Sequence, residues 1–372
     1  MDLKLDNTKN YAIVLEGGGA RGAYQVGVWR SLDEAGIRYN AVAGSSVGAL
    51  NGAMMAMHRL QQAEDLWKNI RFSQVMNVDD DMMKNLFDLK LSEINFRELA
   101  RQALAILKGG GFDITPLREL LSDVVDENAI RDSDVDFYIA TYSLSDRREL
   151  YLLAKDIEPG AIQDMLLASA YYPAFRNEPL GGKRYIDGGV QDVLPLKPLI
   201  DHGCKDILAI RVFGFGVERR IEIPGDVHIT TIAPTQKLGP VMNFDNELSR
   251  EQYRLGYFDG KRALYGLAGQ RYYIDPTWNE AEAYERLIAL VRRFELYHDQ
   301  PHSLRDLNEA VLPQLARKVR ADGGYQDVLI RCLECMAEAA EIDPFEIMTD
   351  SEFEQRVLAR AEESHAWVPL ML

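Results

Sequence analysis

Residues Gly44-Ser45-Ser46-Val47-Gly48 stand between an apolar run, Tyr39 to Ala43, and a helix-like stretch, Ala49 to Leu60. No other segment constrains the backbone as tightly. A G-x-S-x-G at a strand-to-helix junction builds a strained turn, in which the glycines leave room and the central hydroxyl is lifted clear of the sheet. Ser46 occupies that centre, and Ser45 is its strand-side neighbour. Two glycines flanking a serine at this spacing are common by chance, so the pentapeptide draws its weight from its surroundings.

Those surroundings read as a parallel sheet. Tyr11 to Glu16 (YAIVLE) is an expected strand. A glycine loop follows, then a helix over Tyr24 to Leu32 with apolar residues at Tyr24, Val28 and Leu32 and a stop at Gly36. Ala41 to Gly44 is the next strand, leading into the elbow. Strand, loop, helix, strand, elbow, helix is the βαβα order that buries a parallel sheet between two helical layers, which gives the expected fold class, a three-layer α/β/α with a mostly parallel central sheet. Further strands are expected at Val135 to Thr141, Glu149 to Ala154, Ile207 to Val212 and His228 to Ala233.

Between Arg71 and Gly111 the chain is irregular and carries Met76, Met82 and Met83 before an apolar helix, Phe96 to Leu107, that stops at Lys108-Gly109-Gly110-Gly111. Met side chains adapt to irregular apolar partners, so this segment suits a lid or an acyl-chain surface, or else a helical insert whose apolar face is core. Thr115-Pro116 reads as an N-cap with proline at the first helical position, starting a helix at Leu117. Beyond Pro276 amphipathic helices take over: Tyr284, Leu287, Ile288, Val291 and Phe294 share one face, and Leu304, Leu307, Val311 and Leu315 another, after a start at Ser303. The expected organisation is an α/β domain over residues 1–275 and an all-helical C-terminal subdomain over 276–372.

Composition limits the partners. The 42 basic residues are outnumbered by 58 acidic ones, for a formal net charge of -16, which argues against nucleic acid or a strongly anionic membrane. Met1 to Asn10 has no apolar signal-peptide core and no stretch approaches the length of a membrane span. The expectation is therefore a cytoplasmic protein whose lipid contacts are peripheral. Cys332 and Cys335 form a C-x-x-C inside a helical pattern with no second ligand pair, so packing is expected of them rather than metal or redox chemistry.

The second motif is Glu16-Gly17-Gly18-Gly19-Ala20-Arg21-Gly22. Consecutive glycines can turn several N–H groups toward one point at a helix N-terminus, a nest that suits an anion. Gly17, Gly19 and Gly22 also satisfy the dinucleotide fingerprint G-x-G-x-x-G, which asks for an acidic residue roughly 20 positions on at the end of a second strand. Asp33 and Glu34 lie near that distance but inside the helix ending at Gly36. An oxyanion hole, formed by Gly17, Gly18, Gly19 and Ala20 with help from Val47, accounts for both the nest and the neighbouring elbow. Arg21 would anchor this loop or attract an anionic head group.

The third motif is Asp187-Gly188-Gly189, after the short apolar stretch Arg184-Tyr185-Ile186. Alone, Asp-Gly is ordinary turn chemistry. Of the histidines His58, His202, His228, His298, His302 and His365, none has a motif that marks a general base, and His228 is the least implausible. Taken in order, Gly17 to Gly22, Gly44 to Gly48 and Asp187-Gly188-Gly189, with the run Ala168 to Phe175, resemble the patatin-like phospholipase family over about residues 10 to 275.

The resemblance implies a Ser–Asp dyad rather than a triad, with Ser46 as nucleophile and Asp187 as base, acting on lipid or other acyl-ester substrates without cofactor or metal. Two positions depart from the family's habit: Glu16 stands where Asp is frequent, and Val193 precedes Leu194-Pro195 where Asn is frequent. Alternatives to a lipid acyl hydrolase are a thioesterase, acyltransferase or non-lipid carboxylesterase with the same dyad, or a low-turnover binding or regulatory protein that retains the elbow.

Overall fold

The computed structural model describes residues 1–88, 108–297 and 303–371. The expected helix Phe96 to Leu107 and the histidines His298 and His302 lie outside them. By packing the chain divides into two compact units, one of Leu5–Gly260 and one of Met1–Lys4 with Lys261–Leu372.

In the first unit, β1 (Asn10–Leu15) leads through a helical turn at Gly19–Arg21 into α1 (Gly22–Glu34), then β2 (Arg38–Ser45) and α2 (Val47–Ala56). Unlike the expected helix to Leu60, α2 stops at Ala56. His58 adopts φ 54°, a left-handed conformation that a helix cannot continue through, and α3 (Leu60–Lys68) starts afresh. Next comes α4 (Asp80–Phe87), capped by the Asp79 carboxylate. The following helix, α5 (Thr115–Val124), begins before Leu117 and has no side-chain cap: its N-cap is Ile114, and Thr115 is the first helical residue, its N–H and hydroxyl turned onto the Asp113 carboxylate.

After α6 (Glu127–Arg131) come β3 (Asp136–Ser143), β4 (Arg148–Leu153), α7 (Ile162–Ser169) and the three-residue β5 (Tyr185–Asp187). The unit then runs through α8 (Lys197–Asp201), β6 (Asp206–Ile210) and β7 (His228–Ile232) into α9 (Asn246–Tyr265), whose residues from Lys261 on count to the second unit. The strand order is β4-β3-β2-β1-β6-β7, with β5 added to β3. The four pairs from β3 to β7 are parallel, and β4 and β5 run antiparallel to β3. Ala12, Val14, Ala41, Ala43, Ile207 and Ala209 pack with Leu199 of α8 on one face. The alternate set, Ile13, Leu15 and Val42, is buried as well. Both faces are therefore covered, the reason these strands read as continuous apolar runs rather than as alternation. The fold is a mostly parallel sheet between helical layers.

The second unit contains β8 (Tyr273–Asp275), α10 (Glu280–Arg293), α11 (Leu312–Val319), α12 (Tyr325–Ala339), β9 (Ile347–Thr349) and α13 (Asp350–Ser364). Leu287, Val291, Leu315, Leu329, Phe353 and Val357 meet in one core. This portion is helical, with one addition that periodicity cannot show: β8 and β9 form a parallel pair three residues long. Cys332 is buried in that core, Cys335 is half-buried, and both are free thiols. The buried Glu334 carboxylate accepts from the N–H groups of Gln270, Arg271 and Tyr272, holding the chain that enters β8.

Candidate active site

At the carboxyl end of β2 the chain reverses over one residue. Ser46 adopts φ 54° and ψ -127°, a region in which a side chain persists only when its surroundings over-determine it. Two glycines allow the turn: a Cβ on Gly44 would lie 2.2 Å from the Gly48 carbonyl oxygen, and one on Gly48 would lie 2.3 Å from that of Leu15. The Ser46 N–H donates to Ser169 Oγ at 2.9 Å, and that hydroxyl donates in turn to the Ala140 carbonyl at 2.6 Å. The elbow is thereby tied to α7 and β3.

Sheet register delivers the third motif to the same place. β2 pairs with β3 only as far as Ser45 opposite Ala140, because the elbow then turns away. β3 continues to Ser143 with its other edge taken by β4. The edge vacated by β2 is filled by β5, which sets Asp187 opposite Thr141, one position beyond Ala140. Ser46 Oγ donates to Asp187 Oδ2 at 2.6 Å, and the other carboxylate oxygen accepts from the Gly189 N–H at 2.8 Å. Asp187 is 5% exposed. Burial pushes its carboxyl up to about 6, against the two hydrogen bonds that pull it down.

The glycine loop lies beside this pair, with Gly17 against the Ser46 side chain. Its amides are not equivalent. The Gly17 N–H donates to the Val193 carbonyl and that of Ala20 to the Val241 carbonyl, so these two are committed to the fold. The N–H groups of Gly18 and Gly19, and of Val47 at the start of α2, have no partner among the described residues. Gly19 holds φ 56°, and a Cβ there would meet the Val241 carbonyl oxygen at 2.2 Å. Val193, in place of an asparagine, contributes its backbone alone to this hydrogen bonding.

Two charged residues at the ends of the loop fix it. Glu16 is buried, and its Oε2 accepts from the N–H groups of Val212 at 2.6 Å and Phe213 at 2.8 Å while Oε1 accepts from Arg211 at 3.0 Å. Arg21 donates to the carbonyl oxygens of Gly239, Val212 and Phe213. Its guanidinium is thus used as a loop anchor. The sequence reading did not assign a structural role to Glu16 or Ser169. Their signals were present, as the acidic residue ending β1 and the serine within Ala168-Ser169-Ala170.

Ser46, Asp187, Val47 and Gly17 to Gly19 line one cavity with Leu50, Met54, Trp67, Leu117, Leu121 and Phe175. Asp187 is its only charged side chain among the described residues. Of the Met-rich segment, Met76 and Met83 are core and Val75 reaches the cavity wall. His228 does not approach: it begins β7, at the amino end of a strand parallel to those whose carboxyl ends carry the elbow and the glycine loop. No described histidine lines the cavity. No group of three or more His, Cys, Asp or Glu able to hold a metal ion forms among the described residues, and no helix there is long and apolar enough to cross a membrane. The site has a hydroxyl, a proton acceptor and unpartnered N–H donors, the parts that acyl transfer through serine requires.

In this α/β/α fold the elbow serine, the Asp-Gly-Gly aspartate and the glycine loop are brought together at one cavity. The sequence matches the patatin-like phospholipase family over residues 13–200, and the chain belongs to that family. It is similar to patatin-like phospholipase domain-containing protein 7 of Mus musculus, 28% identical over 201 residues that make up 54% of this chain and 13% of that protein. It is also similar to lysophospholipase nte1 of Aspergillus terreus, 27% identical over 55% of this chain and 12% of that protein. The chain thus matches only a small part of either relative. Among solved structures, VipD from Legionella pneumophila aligns over 97% of this chain and 85% of that one, with 13% identity and a TM-score of 0.45.

Proposed function

We propose that this protein hydrolyses the acyl-ester bonds of lipids through a Ser46–Asp187 dyad, with residues 1–275 carrying the chemistry. The observation that carries the reading is the 2.6 Å hydrogen bond from Ser46 Oγ to Asp187 at the wall of an apolar cavity. Asp187 accepts the Ser46 proton as Oγ bonds to the ester carbonyl carbon, and the oxyanion is held by the N–H groups of Gly18, Gly19 and Val47. The tetrahedral intermediate collapses, the C–O bond to the alcohol breaks, and Asp187 returns its proton to the leaving oxygen. Water, deprotonated by Asp187, then attacks the acyl-enzyme, and the second collapse releases the fatty acid and restores the Ser46 hydroxyl.

A carboxylate at its ordinary pKa is a weak base at neutral pH, and the burial that raises Asp187 narrows this mismatch. Among the described residues the wall carries no charge other than Asp187, which suits an acyl chain better than a head group. The test is hydrolysis of phospholipid, lysophospholipid, acyl-thioester and short-chain p-nitrophenyl ester side by side, by wild type and Ser46→Ala. Release of fatty acid from the lipids, abolished by the substitution, is the expected result. Turnover confined to the thioester would transfer the dyad to a thioesterase, and activity retained by Ser46→Ala would remove the nucleophile assignment.

A further inference from the structure

Between β6 and β7 runs a segment, Arg211-Val212-Phe213-Gly214-Phe215-Gly216-Val217, in which Val212 is buried and the apolar side chains from Phe213 on are exposed. Phe213 is 54% exposed, Phe215 75% and Val217 54%, and with Ile223 they make up four of the nine large hydrophobic residues exposed among the described residues. Scattered exposed apolar residues need no explanation, whereas a cluster at a cavity mouth does. Phe215 itself reaches the cavity that holds Ser46 and Asp187.

The backbone of this strap is held under strain. Phe213 takes φ 50°, a left-handed conformation that costs a bulky residue on the order of 1 kcal/mol or more. It is clamped there from both sides, its N–H donating to buried Glu16 and its carbonyl accepting from Arg21. Gly214 packs on the Gly17 carbonyl, Gly216 packs on that of Gly189, and the Val217 N–H donates to Gly189 at 2.9 Å. The strap therefore rests on both the glycine loop and the Asp-Gly-Gly turn while presenting its aromatic side chains outward. Strain fixed by the buried Glu16 and the half-buried Arg21, with phenylalanine left exposed, calls for an apolar partner.

We propose that residues 213–217 insert into the acyl layer of a zwitterionic lipid surface, seating the cavity mouth on its substrate. This rests on the lipid-hydrolase reading above. The choice of a zwitterionic surface follows from charge. The chain carries a net -16, Arg211 is committed to Glu16 and Glu218, and Arg219 is paired with Glu149. Residues 213–217 carry no cation of their own, and Arg220, exposed a few residues on, stands between Glu218 and Glu222 in the sequence, so penetration by side chains rather than attraction to anionic lipid supplies the affinity.

The test is co-sedimentation of the full chain with phosphatidylcholine vesicles, comparing wild type with Phe213→Asn/Val217→Thr. Asparagine tolerates the left-handed conformation and threonine keeps the shape of valine, so the backbone clamp persists. The double substitution is expected to weaken vesicle partitioning about tenfold or more, from the apolar area withdrawn, while hydrolysis of a dispersed short-chain ester stays within about threefold. Wild type that does not partition, or a variant that partitions equally, overturns the proposal. So does a variant whose only change is in self-association, which would make the strap a contact between copies. If the double variant misfolds, Phe213→Trp decides: quenching of its emission by brominated phosphatidylcholine, beyond that of wild type, is expected, and no added quenching overturns the proposal. Ser46→Ala separates the two readings, since it should bind vesicles normally without hydrolysis. Vesicle binding by a wild type that hydrolyses nothing would retain the strap and sink the chemistry.

Discussion

Asp187 binds its proton more tightly in the folded protein than an unfolded aspartate would, with a carboxyl near 6 against an ordinary value of 3.8. The sign of the linkage follows. Between these two values the folded state holds more protons than the unfolded state, so this group's contribution to stability is greatest below about pH 4 and is lost as pH rises through about 6. Asp187→Asn removes that loss, and urea denaturation should find the variant more stable than wild type at pH 8 by on the order of 2 kcal/mol, with the difference shrinking toward pH 4. Equal stabilities at pH 8 would mean the carboxylate is not penalised by burial. The same substitution should lower esterase kcat/KM by about 10³-fold or more. Wild-type kcat/KM should fall as pH drops through about 6, because a protonated Asp187 cannot accept the Ser46 proton. A stabilised yet inactive variant is the signature of a group placed for chemistry at the expense of the fold.

Elements bring these residues together in ways the sequence reveals only in part. The elbow and the glycine loop were legible because each is local: a strand, a motif and a helix in consecutive residues. The position of Asp187 was not, since β5 is three residues long and its placement depends on β3 outrunning β2. The split between α2 and α3 at His58 and the commitment of the Gly17 and Ala20 amides are likewise products of tertiary contact. Glu16 illustrates the cost of such contacts. Glu16→Gln would set an amide against N–H groups that now share a carboxylate, and should destabilise the protein by about 2 kcal/mol in urea denaturation. An unchanged midpoint would deny the clamp. On the cavity wall, Leu121 of α5 offers a second test. Leu121→Trp should shorten the acyl chain accepted, reducing kcat/KM for long-chain p-nitrophenyl esters about tenfold while sparing the acetate. A uniform loss across chain lengths would place the acyl chain elsewhere.

At the scale of the whole molecule, the first unit holds every residue of the candidate site, and the second has its own core. The helical character of the C-terminal part was legible from its 3.6-residue periodicity, whereas its short β8–β9 pair was too brief to leave a pattern. The exposure of Phe213, Phe215 and Val217 left no sequence signature either, because apolar residues just beyond an expected strand end, here Val212, do not show whether anything covers them. The proposed chemistry draws on one hydroxyl, one carboxylate and backbone N–H groups, so EDTA should leave ester hydrolysis unchanged, and loss of activity restored by calcium would contradict it. The central claim is that Ser46 is a nucleophile activated by Asp187, and intact-mass analysis after exposure to a fluorophosphonate tests it most directly. The account predicts a single adduct that peptide mapping places on Ser46, absent from Ser46→Ala and strongly slowed in Asp187→Asn. No adduct on wild type, or one that persists in Ser46→Ala, would contradict it.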